Sequence, residues 1–352
     1  NNILILLVFF LFLVKIFSIT FTNFNLFGDE AQYWLWSKNL DLGYFSKPPF
    51  LAWAIRAYNE IFGDSFFALK IFPSLIYFLI AWCVYNLFLN SGLNRKDSLS
   101  GCLIFLIIPA VSFSSFLIST DLFLLLFWTL SLNELLKIIK DQNFLRFVFL
   151  GIFLGLAFLS KYAAVYFIIC LFSLFLFDKN FRKIFINNYL GFSLSISLML
   201  LVFLPNIIWN IENNWITLQH TSDNANFTNI DISFYRGLEF LITQLIMLGP
   251  FLVVGGILSL TNINDTQKVL LAFSLPIILI VFIEAIIVRA NANWAAPALI
   301  SLFVCFYIAI SNTVLKIINL VFNFSFCFIF FVLIGVSYPS DIFNRINGLN
   351  EY

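Results

Sequence analysis

The sequence predicts an all-α, polytopic integral membrane protein with about 11 transmembrane helices. Three observations carry this. Of 352 residues, 62% are hydrophobic and 11% charged, whereas an average soluble domain carries about 25% charged residues. The apolar residues recur in long runs along the whole chain, and about 20 of them cross a bilayer as a helix at 1.5 Å per residue. Period-two alternation is missing, which argues against a barrel, the other architecture that satisfies every backbone group in lipid.

The apolar runs predict spans at 3–21, 66–89, 99–118, 121–139, 144–160, 162–177, 187–208, 237–260, 268–288, 294–312 and 315–337. Residues 1–337 then form one transmembrane domain, with large outer loops at about 22–65 and 209–236 and a short tail at 338–352. The run 3–21 is too long for a signal-peptide core and has no clear small-residue cleavage site, so it reads as the first span. The net charge of +1 gives no reason to expect a nucleic-acid partner. Cys83, Cys102, Cys170, Cys305 and Cys327 all fall inside apolar runs without a CxxC pair, and read as small buried hydrophobes.

Orientation follows from Lys and Arg in the short loops. With the N-terminus inside, the inner loops hold Arg95, Lys96, Lys137, Lys140, Arg146, Lys179, Arg182, Lys183, Lys268 and Lys316. The much longer outer segments hold Lys38, Lys47, Arg56, Lys70, Lys161, Arg236, Arg289 and Arg345, a lower density. Most carboxylates, including Asp29, Glu30, Asp64, Asp121 and Glu239, fall outside. Any chemistry is therefore expected on the outer face.

The first outer loop is the most informative stretch. Gly28 precedes Asp29 and Glu30, in the first turn of a predicted helix running to Lys38, where carboxylates suit the helix dipole. Pro48-Pro49 ends that segment, and Pro49 opens a second amphipathic helix carrying Trp53 and Tyr58. Both helices are expected to lie on the outer membrane surface. Tyr33, Trp34, Trp36 and Tyr44 read as interfacial anchors.

Other polar groups punctuate the outer edge. Asp121 opens a span after Ser119-Thr120, and reads either as an N-cap or as a functional group. Lys161-Tyr162 interrupts two apolar runs. Ionisable groups at membrane depth mark a substrate path or a pair. Lys161 has no carboxylate nearby in sequence, and Asp121, on the same side, is its expected partner; snorkelling to the interface is the plainer alternative. His220 lies in the second large loop, and Arg289, Asn291 and Asn293 precede Trp294.

These residues resemble a known family. The segment GDEAQYWLWSKNLDLGYFSKPPFLAWAIRAYNEIFGDS is similar to the first periplasmic loop of bacterial protein-mannosyltransferase-like glycosyltransferases of the GT-C superfamily. That family includes the lipid A aminoarabinose transferases and the rhizobial lipopolysaccharide galacturonosyltransferases. STDLFLLLFW, GLAFLSKYAAV, LPNIIWNIENNWITL and RANANWAAPA follow in the family's order, so the likeness covers residues 1 to about 312.

The resemblance implies a multi-pass glycosyltransferase of the bacterial inner membrane. It would move a sugar, with inversion, from a polyprenyl-phosphate donor to a lipid, glycan or protein acceptor on the periplasmic face. Membrane lipids are its surroundings. A nucleotide sugar is not used directly, in keeping with the lack of a glycine-rich phosphate loop. An acceptor hydroxyl needs a base; the family's motif aspartate falls on Asp29, with Glu30 as second choice. The leaving phosphate calls for cations, and Lys47, Lys161 and Arg289 are the candidates. Asp121, Tyr162, His220, Asn293 and Trp294 are candidates for holding sugar or acceptor. The sequence assigns no cofactor. Some relatives place an acidic residue before the lysine of the K-P motif, where it helps bind a metal; here Ser46 stands there, which argues against a divalent metal shared with His220.

Two readings from other classes compete. A transporter or flippase of lipid-linked sugars predicts carboxylates near mid-span and interrupted helices; Glu284 is the one carboxylate read well inside a span. A non-catalytic assembly subunit predicts that Asp29→Asn is silent.

Overall fold

In the computed structural model the described residues are 2–22, 25–225 and 230–336. The predicted tail, with Arg345, lies outside them, as do residues 226–229 of the second large loop. Among the described residues there is helix and no strand. In chain order the helices are α1 (Asn2–Phe21), α2 (Gly28–Lys38), α3 (Phe50–Phe62), α4 (Phe66–Asn90), α5 (Arg95–Phe105), α6 (Pro109–Ser114), α7 (Asp121–Asp141), α8 (Phe144–Ser160) and α9 (Val165–Phe177). They continue as α10 (Lys179–Asn187), α11 (Tyr189–Glu212), α12 (Ile216–Ala225), α13 (Phe234–Leu248), α14 (Pro250–Ser259), α15 (Asp265–Ala272), α16 (Leu275–Ile287), α17 (Ala296–Ala309) and α18 (Thr313–Val336). Short 3₁₀ turns at Tyr162–Ala164 and Ala292–Ala295 lead into α9 and α17.

The all-helical membrane architecture matches expectation, and fewer unbroken long helices than the expected 11 or so spans are found. Seven helical segments among the described residues are long and apolar enough to cross a bilayer, and nine if each of two bent pairs is one span. The difference has local causes. The expected span 99–118 is broken: proline at the first position of α6 cannot donate to the preceding turn. The expected span 237–260 bends by 94° between α13 and α14, where Gly249 takes a left-handed φ of +94° and Pro250 starts the next helix. α9 and α10 meet at 110°, with the Asp178 side chain capping α10 at the Phe181 amide.

α7 is the most enclosed of the long helices, and Trp128, Leu122, Leu124 and Leu132 on it have no exposed surface. α4 and α17 flank it and are also mostly buried. α1 pairs with α18 at the edge, where Phe10 stacks on Phe324 and Phe328. Lys15, which the sequence reading passed over, is buried on α1 and donates to Ser74 and Ser115 hydroxyls on neighbouring segments.

α8 and α11 come together across Gly151 and Gly155, spaced as G-x-x-x-G. A Cβ on Gly151 would lie 2.5 Å from the Ser195 carbonyl, and one on Gly155 would lie 2.6 Å from Val202 Cβ. Small residues at this spacing let backbones approach. Gly151→Val is therefore expected to destabilise the protein by about 1–3 kcal/mol through overpacking, read as a lower melting temperature in detergent. An unchanged melting temperature would mean the helices separate without cost.

The first outer loop folds as the sequence indicated, into α2 and α3, and two of its expected anchors are instead buried in protein. Tyr33 and Tyr44 are buried, and Trp36 stacks on Tyr44 at 4.5 Å. The loop is tied to the bundle: Asn206 donates to the Leu42 carbonyl at 2.7 Å, and Thr217 donates to that of Tyr44 at 2.7 Å. Tyr33 and Tyr44 therefore fasten the loop to protein.

Candidate functional site

Asp29, in the first turn of α2, is exposed on the wall of a polar cavity of about 450 Å³. Gln32 and Tyr33 of the same helix line it, with Ser46 and Lys47 from the turn before α3. Asp121 enters from the start of α7, Lys161 from the break after α8, His220 and Asn224 from α12, and Asn291, Asn293 and Trp294 from the link before α17. Groups far apart in sequence thus meet at one end of the bundle.

The pairing of Lys161 with Asp121 expected from the sequence is present. The last turn of α8 ends at Lys161, whose extended backbone turns its side chain back toward α7. Its Nζ donates to Asp121 Oδ1 at 2.7 Å, and Asn293 Nδ2 donates to Oδ2 at 2.9 Å. Both carboxylate oxygens are therefore used. Lys161 keeps two further N–H donors for another oxyanion.

Lys47 is half-buried and lines the cavity beside Lys161. Burial, then the like charge of Lys161, holds its ammonium below the ordinary lysine range, with Asp29 and Asp121 pulling the other way. Tyr33 is pushed up, first by burial and then by the charges of Asp29 and Asp121. Two cations and two carboxylates here share one electrostatic neighbourhood.

Glu30 diverges from its neighbour. It is 2% exposed and does not line the cavity. Its carboxylate accepts from Lys70 Nζ at 2.6 and 2.9 Å, and from the Phe27 and Ile118 amides at 2.9 Å each. Lys70 is fully buried among the rings of Phe27, Phe66 and Phe116. The carboxylate that was second choice for a base is engaged in holding α2 to α4 and to the segment before Asp121. Lys70 could have been found in sequence as the single charge in the first turns of an apolar run.

A second, more apolar cavity of about 300 Å³ adjoins the first and shares Ser46, Lys47, Lys161, Asn224 and Trp294 with it. Tyr166 and Glu284 line its far side. Tyr162 lines this second cavity rather than the first; its hydroxyl donates to Asn206 at 2.8 Å and accepts from Asn210 at 2.9 Å. Arg289 lines neither, and opens instead into a third cavity. His220 shares a hydrogen bond with Asn224 at 2.9 Å and packs on Phe45. Ser46 and His220 both line the first cavity, but among the described residues no three His, Cys, Asp or Glu side chains gather as a metal site.

Comparison with known proteins adds to this geometry. Residues 46–209 match the dolichyl-phosphate-mannose-protein mannosyltransferase family. A lipid A galacturonosyltransferase, RgtD, of Rhizobium johnstonii is 31% identical over 307 residues, which are 86% of this chain and 63% of the relative. The chain thus spans less than two thirds of that relative's length. Among solved structures, ArnT from Cupriavidus metallidurans bound to undecaprenyl phosphate superposes with a TM-score of 0.68 at 17% identity, covering 88% of this chain and 60% of that one. The apo form gives 0.66 at 16% identity, with coverage of 88% and 59%. An oligosaccharyltransferase from Archaeoglobus fulgidus gives 0.51 at 14% identity, over 93% of this chain and 54% of that one. These structural likenesses concern the fold.

Proposed function

We propose that this chain, which resembles the GT-C superfamily of glycosyltransferases, transfers a sugar from a polyprenyl-phosphate donor to a lipid, glycan or protein acceptor. The observation that carries the reading is the meeting of Asp29, Lys47 and the Lys161–Asp121 pair in one cavity, with a more apolar cavity joined to it along Lys47, Lys161 and Trp294. Such a site suits a substrate with an anionic centre and an apolar tail. The sequence relative named for lipid A transfer and the fold relative bound to undecaprenyl phosphate support the same reading. The cell location is the bacterial inner membrane, with the cavity on the periplasmic side, as the density of Lys and Arg in the loops indicates.

The chemistry follows from the placement. The acceptor oxygen forms a bond to the anomeric carbon as the bond from that carbon to the carrier phosphate breaks, and attack from the opposite face inverts the centre. Asp29, exposed on the wall, takes the proton of an acceptor hydroxyl. If the acceptor is a phosphate, already an anion, Asp29 orients it instead. Lys47 and Lys161 face the phosphate as its charge grows on departure. Asp121 and Asn293 fix Lys161, and the Trp294 indole offers a flat apolar face to a sugar ring.

Lys161→Ala is expected to weaken binding of undecaprenyl phosphate to the purified protein by about ten- to a hundred-fold, the usual worth of hydrogen bonds to a charged group. An unchanged affinity would leave Lys161 with its structural pairing to Asp121 alone and remove the main support for a phosphate site. The depressed Lys47 ammonium also sets a pH dependence. Its charge is lost at a lower pH than that of an exposed lysine, so affinity for the anion falls as pH rises through that shifted value. Lys47→Arg, whose guanidinium stays charged, is expected to flatten this alkaline loss. A pH profile identical in Lys47→Arg and wild type would exclude Lys47 from the phosphate.

A further inference from the structure

The cavity that Arg289 opens into has a volume of about 380 Å³ and lies between the start of α13 and the end of α16. Arg236 lines it too, and Asn291 lines both this cavity and the one that holds Asp29. We infer that Arg236 and Arg289 form a second oxyanion subsite, which takes a phosphate carried by the acceptor glycolipid. This rests on the transferase reading and adds the class of acceptor to it.

Two guanidinium groups facing one cavity repel each other unless an anion lies between them. Arg289 is exposed and has no ion pair among the described residues. Arg236 is held loosely: Nη1 reaches Asp231 at 3.2 Å, and Nη2 reaches the Ile286 carbonyl at 3.5 Å. The Asp231 side chain is 82% exposed, so solvent screens that pair and an incoming oxyanion can displace it. Arg236 Nε is buried with no hydrogen-bond partner, so the Nη groups are the ones that reach the cavity side. Guanidinium forks match phosphate oxygens two at a time. Thr243 and Asn291 add neutral hydrogen-bonding groups, and Glu239, exposed, is the one acidic residue on this wall. The lining itself thus holds two guanidinium groups against one carboxylate.

The occupant is assigned by elimination among the substrates. A polyprenyl-phosphate sugar carries one phosphate, and Lys47 and Lys161 already face it beside the apolar cavity that suits its tail. An anion at Arg236 and Arg289 belongs to the other substrate. With its phosphate there, the acceptor's reactive group can extend past Asn291 to Asp29.

The test measures binding of bis-phosphorylated lipid A, and of the same lipid after dephosphorylation, to the full chain in detergent micelles. Undecaprenyl phosphate binding is the control. Wild type is expected to prefer the phosphorylated lipid at least ten-fold. Arg289→Gln, a change at an exposed residue, and Arg236→Lys, which keeps the charge but not the fork, should each reduce that preference several-fold while leaving undecaprenyl phosphate affinity unchanged. Equal binding of the two lipids by wild type overturns the subsite, as does a preference that survives both substitutions. A parallel loss of undecaprenyl phosphate affinity in either variant also overturns it, because the arginines would then serve the donor. Failure of wild type to bind undecaprenyl phosphate at all would instead strike the transferase reading.

Discussion

Asp29→Asn is expected to lower sugar transfer by about a hundred- to ten-thousand-fold, the usual contribution of a positioned general base. Binding of undecaprenyl phosphate should change little, because Asp29 makes no ion pair with Lys47 or Lys161 among the described residues. Expression and melting temperature should also hold, since the side chain is exposed. The measurement is turnover in membranes containing donor and acceptor, beside donor affinity on purified protein. Near-wild-type transfer by the variant would remove the base assignment and favour the non-catalytic reading. A loss confined to hydroxyl acceptors, with transfer to a phosphate acceptor kept, would show that Asp29 acts by deprotonation.

The second large effect concerns Lys70, which touches no part of the cavity. Lys70→Met leaves Glu30 in its buried position with two backbone amides and no counter-charge. Breaking a buried pair from one side costs about 3–5 kcal/mol, because an uncompensated charge remains. The melting temperature in detergent should fall by several degrees, and transfer should fall with it, since Glu30 fixes the helix that carries Asp29. The double variant Glu30→Gln/Lys70→Met removes both charges and should recover much of the lost stability. A single variant as stable as wild type would mean that the pair does not fasten α2.

The adjacent carboxylates show how far a sequence can be read. Their place at a helix N-terminus was legible, and α2 does begin at Gly28. Which of the two reaches solvent was not. Successive residues on a helix point about 100° apart, so their fates depend on what α2 packs against. Lys70 lies forty residues away on α4, and Ile118 farther still. The pairing of Asp121 with Lys161 was legible because both interrupt apolar runs on the same side, and such groups seek each other in lipid. Arg289 was grouped with the lysines by charge alone, and the structure sends it to a different cavity with Arg236. The interfacial role given to Tyr33 and Tyr44 failed for a related reason: an amphipathic ring serves equally at a bilayer surface and against protein.

From the chain of residues alone came the membrane class, most helix limits to within a few residues, and most of the polar groups that line the cavities. Hydropathy settles these because lipid penalises every unpaired backbone or charged group locally, whatever the neighbouring helices do. Only the packed bundle decided which runs bend, which of Asp29 and Glu30 faces the cavity, and how the cations divide between separate cavities. Each of those depends on contacts between segments tens to hundreds of residues apart, and a one-dimensional pattern of polarity holds no record of which faces meet.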